Sequence, residues 1–120
     1  MILPLALLLA AAQPATVPAH PTADETALMD RIEREVRLPV GAAPLVRYHR
    51  TYAWLGDRTV IAIFENLSDD GPERRWVEPT SLPHINDGGC SVVTVFLDPG
   101  SGRMDTMCNP DPFANMRRGH

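Results

Sequence analysis

The residues best suited to chemistry lie in one short segment that ends at a cysteine. His84, Asp87 and Cys90 follow one another at intervals of three, and imidazole, carboxylate and thiolate groups all ligate zinc. Cys108 would supply a fourth donor. The spacing matches no common zinc template, and a tight loop in which Asp87 caps a turn before two glycines explains the same residues. A metal site here stays an alternative, and we assign no metal ligand.

The two cysteines of the chain have only one possible pairing. Cys90 is predicted to open a strand and Cys108 to close its hairpin partner, on either side of turn residues around Pro99. A disulfide across these 18 residues stabilises a fold by about 3 kcal/mol in the chain-entropy model. The C-x-x-C spacing of redox-active pairs is absent. The sequence therefore predicts a structural disulfide between Cys90 and Cys108.

Catalysis finds little support in the sequence. A thiol hydrolase would need Cys90 free beside His84 or His49, and Asp69 and Asp70 lie in a polar loop typical of solvated carboxylates. The chain has no lysine, which excludes Schiff-base and P-loop chemistry. Serine-hydrolase, metalloprotease and dinucleotide-binding motifs are also missing. We predict no catalytic residue and no cofactor.

The two tryptophans are candidate anchors for a partner, because Trp and Arg dominate interface hot spots. Trp54 ends an alternating segment, where packing at the sheet edge is the favoured interpretation. Trp76 follows two arginines, and packing and partner binding are equally supported for it. Trp76, His84 and Asp87 are the candidate ligand-binding residues.

The N-terminus predicts export. Residues 2–12 form an apolar run, too short for the ~20 residues that cross a bilayer, and three alanines offer a cleavage pattern. We assign residues 1–12 to a signal peptide, 13–21 to a flexible linker, 22–110 to one domain and 111–120 to a polar tail. A buried N-terminal helix is the alternative, which Pro4 disfavours.

This assignment places the protein in the periplasm or outside the cell, with no membrane anchor after cleavage. The formal charge of −4 argues against nucleic-acid binding, which needs a cationic surface. The expected partner is an envelope or secreted protein.

One helix is indicated at the start of the domain. Thr22 and Glu25 form a capping box, and the helix is predicted to run to about Arg37. Its apolar stripe consists of Leu28, Met29, Ile32 and Val36. Two acid–base pairs four residues apart are expected along it, Asp30 with Arg34 and Glu33 with Arg37.

The rest of the domain is predicted to form mainly β-strands. Residues 45–55 alternate, residues 58–64 are rich in β-branched side chains, and 90–97 and 103–108 form a second hairpin. Residues 76–79 are a possible short edge strand. The fold class is α+β: one N-terminal helix packed on a roughly four-stranded antiparallel sheet, a cystatin-like or similar two-layer domain.

Three pieces of the sequence carry a family resemblance: Tyr48-x-Arg50-x-Tyr52-Ala53, Leu82-Pro83-x-Ile85-x-Asp87-Gly88-Gly89-Cys90-x-Val92-Val93, and Cys108-Asn109. With its Asp-Gly-Gly-Cys motif the chain resembles small uncharacterised exported proteins of alphaproteobacteria. The likeness covers about half of the mature chain. It implies a disulfide-bearing periplasmic domain and no assigned activity.

These observations favour a non-enzymatic binding module for a protein, a peptide or an envelope component. A small enzyme or metal-binding protein using residues 84–90 is one alternative. An inhibitor of a secreted hydrolase is another, suggested only by the cystatin-like order of elements.

Overall fold

The structure is a computed structural model that describes residues 19–66, 71–85 and 88–109. The signal peptide assigned to residues 1–12, the tail assigned to 111–120, and Asp69, Asp70 and Asp87 lie outside the described residues. Within them the domain consists of one α-helix and five strands.

Helix α1 spans Ala23–Glu35 and begins with the predicted capping box. Thr22 Oγ1 accepts from the Glu25 backbone N–H at 3.2 Å, and Glu25 Oε1 accepts from the Thr22 N–H at 2.9 Å. These bonds satisfy donors that every helix N-terminus leaves unpaired. Met29 and Ile32 are buried in the core, which confirms the apolar stripe. The helix ends two residues before the predicted Arg37.

Asp30 and Glu33 of α1 form ion pairs with arginines of the sheet instead of with arginines of the helix. Asp30 Oδ1 lies 2.8 Å from Arg74 Nη1, and Glu33 Oε1 lies 3.4 Å from Arg50 Nη1. The predicted pairing of these acids with Arg34 and Arg37 is therefore wrong. Strand arginines offer partners in a partly buried setting, where water screens an ion pair less than on an exposed helix face.

The sheet has five strands in the order β3-β1-β2-β4-β5. Three neighbouring pairs are antiparallel, whereas β3 lies parallel to β1 at one edge. The prediction of a four-stranded, wholly antiparallel sheet is thus corrected to five strands with one parallel pair, and the α+β class is confirmed. The strands are β1 His49–Leu55, β2 Thr59–Glu65, β3 Arg74–Trp76, β4 Val92–Leu97 and β5 Met104–Cys108.

The parallel strand forces a long connection. Strand β4 also runs parallel to β1, since two antiparallel steps separate them, so residues 77–91 must pass two strands to reach it. Ile85 O accepts from Asn109 Nδ2 at 2.6 Å at the far side of the sheet. Thr51 and Ala53 point away from α1 and are nevertheless fully buried.

The core lies between α1 and the face of the sheet on which α1 packs. Its side chains come from alternate positions of β1, β2 and β4, as expected of pleated strands. They meet the helix stripe in one cluster, whose largest members are Trp76, Tyr48, Tyr52, Phe64, Met29, Ile32 and Leu97.

The predicted disulfide between Cys90 and Cys108 is confirmed. Cys90 lies in a short 3-10 turn, Gly89–Ser91, immediately before β4, and the two Cα atoms are 4.5 Å apart. Tyr48 Oη donates to Cys90 O at 2.6 Å and accepts from the Ala43 N–H at 2.9 Å. The covalently closed end of the β4–β5 hairpin is thereby tied to the start of β1.

Candidate functional site

A groove opens at the end of the sheet where two hairpin turns meet α1. Its larger part, about 570 Å³, is lined by Trp54, the β1–β2 turn residues Asp57 and Arg58, and β4–β5 turn residues 98–101. Trp54 also lines a second depression of about 450 Å³ against α1, with Asp24, Ala27, Leu28 and Arg31. We call the two depressions together the Trp54 groove.

The register of β1 places Trp54 in this groove. Trp54 pairs with Val60, one position before the last pair of the β1–β2 hairpin, and Val60 pairs with Leu97. Both partners are buried on the α1 side, so Trp54 points to that side as well. It lies at the end of the sheet, where cover is incomplete, and its ring is only partly buried. Its inner neighbour is Trp76, with ring centroids 5.7 Å apart.

The ring is held in place through its nitrogen. Trp54 Nε1 donates to Glu25 Oε2 at 3.0 Å, and Glu25 is only 5% exposed. A hydrogen bond to a buried carboxylate is stronger than one between neutral groups. If the indole rotated out of the groove, the buried Glu25 carboxylate would lose this hydrogen-bond donor. The bond therefore holds the ring in place.

Glu25 is the centre of a network of donors. Besides the Thr22 N–H, its Oε1 faces His20 Nδ1 at 2.6 Å, and His20 Nε2 lies 2.9 Å from Glu78 Oε1. Burial raises the pKa of Glu25, but the hydrogen bonds from His20, the Thr22 backbone and Trp54 together outweigh burial and lower that pKa below its usual value. Glu25 is thus ionised at neutral pH.

The rim of the groove carries both signs of charge. Arg31 connects α1 to the β4–β5 turn, since its Nη1 donates to Pro99 O at 3.3 Å and its Nε lies 3.4 Å from Glu35. Asp24, Asp57 and Arg58 are exposed. The arrangement combines a fixed aromatic wall with charged groups that a ligand can reach.

The β4–β5 turn has a fixed shape at this rim. Asp98 Oδ1 accepts from the Gly100 and Ser101 N–H groups at 2.9 and 3.3 Å. Gly102 has a φ of +80°, and a Cβ added there would lie 3.1 Å from Arg31 Nη2. The positive φ favours glycine at this position, and an added Cβ would require the Arg31 guanidinium to shift slightly.

A second polar cluster, centred on Glu33, holds α1 against the strands next to the groove. Tyr52 Oη donates to Glu33 Oε2 at 2.6 Å, and Arg50 and Arg74 lie 3.4 Å from Glu33 oxygens. Burial, helped by the hydrogen bond to Glu33, raises the pKa of Tyr52 far above its usual value. The phenol stays protonated, and the cluster fixes α1 to β1 and β3.

The candidate residues predicted from sequence lie elsewhere. Trp76 is 5% exposed and stacks on Tyr52, with ring centroids 6.2 Å apart and planes within 11°, so it faces the core. His84 is exposed on the β3–β4 connection, and Asp87 lies outside the described residues. Their assignment to ligand binding stays a prediction.

The disulfide removes Cys90 from the set of free thiols. Over residues 19–66, 71–85 and 88–109 no group of three or more His, Cys, Asp or Glu residues is placed to hold a metal ion. The hypothesis of a metal or thiol site at residues 84–90 gains no support from the structure.

The residues that build the groove are not recognisable from the sequence. The pattern around Trp54 favours a packing residue, the pattern at Glu25 indicates only a helix cap, and His20 lies in the segment predicted to be a linker. The one local indication was the position of Trp54 directly before a hairpin turn, where a strand leaves its cover.

No family model, curated protein or solved structure matches this chain. In the described part of the chain, no helix has the length and apolar character needed to span a bilayer. The chemistry of the Trp54 groove is therefore the basis for assigning a function.

Proposed function

We propose that this domain is a non-enzymatic binding module of an exported protein and that it binds a peptide segment of an envelope or secreted protein in the Trp54 groove. One observation carries the proposal: a partly exposed tryptophan, fixed through its N–H by buried Glu25, forms the wall of the Trp54 groove, whose larger part measures about 570 Å³.

The geometry favours a peptide over other ligands. A groove of this volume lies within the range of ligand-binding pockets and accommodates a few side chains. A preorganised indole loses little conformational freedom on binding, which is why tryptophan is frequent at hot spots. The exposed Asp24, Asp57 and Arg58 provide for ligand groups of either sign, whereas an anionic polymer would be repelled by the net charge of −4.

The compartment is part of the same proposal. A cross-link between Cys90 and Cys108 persists in the periplasm or outside the cell and is rare in the cytosol. The apolar run at residues 2–12 and the resemblance to exported alphaproteobacterial proteins support export independently. The alternative of a hydrolase inhibitor loses its basis, because it relied on a cystatin-like order of elements, and β3 departs from that order.

The proposal is tested by capture from an envelope extract with matched baits. Trp54→Ala removes the groove wall, whereas Leu55→Ala changes the next residue of β1, which is 46% exposed and points to the opposite face. A hot-spot tryptophan contributes at least ~2 kcal/mol, so Trp54→Ala should reduce capture of the partner by about thirtyfold. Leu55→Ala should capture it as the wild type does.

Folding must be separated from binding in this experiment. Trp54 packs on Trp76, so thermal unfolding of each bait is recorded, and Arg58→Glu provides a rim variant with an exposed side chain. Equal capture by wild type, Trp54→Ala and Arg58→Glu would show that the partner binds elsewhere.

A further inference from the structure

His20 lies between two carboxylates and contacts both through its ring nitrogens. Nδ1 is 2.6 Å from Glu25 Oε1, and Nε2 is 2.9 Å from Glu78 Oε1. A neutral imidazole has one N–H donor and one acceptor nitrogen, and an ionised carboxylate only accepts. Both contacts are hydrogen bonds only when both nitrogens carry a proton.

The proton belongs on the ring and not on a carboxyl group. Glu25 also accepts from the Thr22 N–H and from Trp54 Nε1, so both of its oxygens face donors. The side chain of Glu78 is 59% exposed, and water stabilises its charge. The geometry therefore requires an imidazolium, with its side chain 24% exposed.

We propose that His20 is a proton-controlled latch on the Trp54 groove. In its charged form it ties residues 19–22 to α1 through Glu25 and to the β3–β4 connection through Glu78. Loss of the ring proton breaks one of these bonds and places a lone pair against a carboxylate oxygen. Since Glu25 holds both His20 and the Trp54 indole, the release changes the support of the groove wall. The biological role of the latch rests on the proposed binding function, but its existence does not.

The direction of the pH dependence follows from the groups that face the ring. These are Glu25 from α1 and Glu78 from the connection after β3. Hydrogen bonds to Glu25 and then to Glu78 raise the pKa of His20 above its usual 6.5. The latch is thus closed in more than half of the molecules at pH 6.5 and opens as the pH rises through the raised value. Because the pKa of Glu25 is lowered, mild acid leaves the latch closed.

The latch can be tested on the protein without any ligand. The ¹⁵N resonances of the His20 ring and the indole ¹H–¹⁵N resonance of Trp54 are followed from about pH 5 to about pH 10. We expect both to change with one shared midpoint above 6.5. Glu78→Gln should move that midpoint downward, and His20→Gln should abolish the step at Trp54.

The matched control is His84→Gln, which removes an exposed histidine and should leave the Trp54 step unchanged. A His20 midpoint at or below 6.5, or a Trp54 step that survives in His20→Gln, would overturn the latch. Capture by the groove variants is a separate experiment, so failure of the latch and failure of the binding function are distinguishable.

Discussion

Replacing Glu25 with glutamine tests whether one carboxylate holds the groove together. The substitution preserves the size of the side chain but exchanges one accepting oxygen for an NH₂ group. Oε1 faces the Thr22 N–H and His20, and Oε2 faces the Trp54 N–H. In either orientation of the amide a buried donor is therefore set against another donor.

The expected cost follows from these contacts. A hydrogen bond to a charged group contributes about 1.5–3 kcal/mol, and a buried donor left without a partner costs a similar amount. Glu25 is 5% exposed, so water cannot replace the lost acceptor. We expect Glu25→Gln to lower the free energy of unfolding by about 3 kcal/mol. For a domain of this size that corresponds to a drop in Tm of roughly 12–24 °C.

Urea unfolding at neutral pH measures the effect, with Glu35→Gln on the same helix as the control. The Glu35 side chain is 44% exposed, in contacts with Arg31 and Arg34, so its loss should cost well under about 1 kcal/mol. The pKa of Glu25 is lowered on folding, so its contribution is present above its usual 4.5 and is lost as the pH falls through the folded value. Equal stability of Glu25→Gln and wild type at neutral pH would refute this account of the network.

Two further changes test the supports of the site. Replacing both Cys90 and Cys108 with serine should lower the free energy of unfolding by about 3 kcal/mol; urea unfolding with and without reductant checks this, and a wild type unaffected by complete reduction would contradict it. Tyr52→Phe removes the donor to Glu33 and should cost about 1–2 kcal/mol in the same assay, whereas unchanged stability would mean that the arginines around Glu33 suffice without the phenol.

The parts of the fold that depend on neighbouring residues could be predicted from the sequence. The capping box at Thr22 and Glu25 identifies where α1 begins, because both bonds form within one turn. The β4–β5 hairpin follows from a β-branched run, a turn rich in glycine, and a return segment. The Cys90–Cys108 disulfide follows from that hairpin, since only one pairing is possible.

Long-range pairing could not be predicted in the same way. Strand β3 has three residues, too few to show alternation, and its parallel partner lies about 24 positions earlier in the register of Arg50 with Arg74. Nothing local distinguishes a parallel edge strand from an antiparallel one. The partners of Asp30 and Glu33 were missed for the same reason, because they come from strands that the helix pattern does not specify.

The residues of the Trp54 groove could not be predicted either, because they are brought together by long-range contacts. The burial of a tryptophan depends on which side chains pack on it. Trp76 lies in the core, whereas Trp54 packs on Trp76 at the end of the sheet and stays partly exposed. The capping role of Glu25 is local, but its bonds to His20 and Trp54 require the finished fold. His20 sits in a Pro/Ala/Thr-rich stretch that predicts a linker, and only the tertiary structure joins it to Glu78.

The proposed binding function is tested most directly by photo-crosslinking in cells that produce the full chain, with one photoreactive amino acid introduced per variant. Ser101 lines the Trp54 groove, and Met107, 50% exposed, lies on the opposite face of the sheet. A crosslink to one discrete envelope or secreted protein from position 101 and none from position 107 is the predicted result. A crosslink from position 107 with none from position 101 would contradict the assignment of the Trp54 groove as the binding surface.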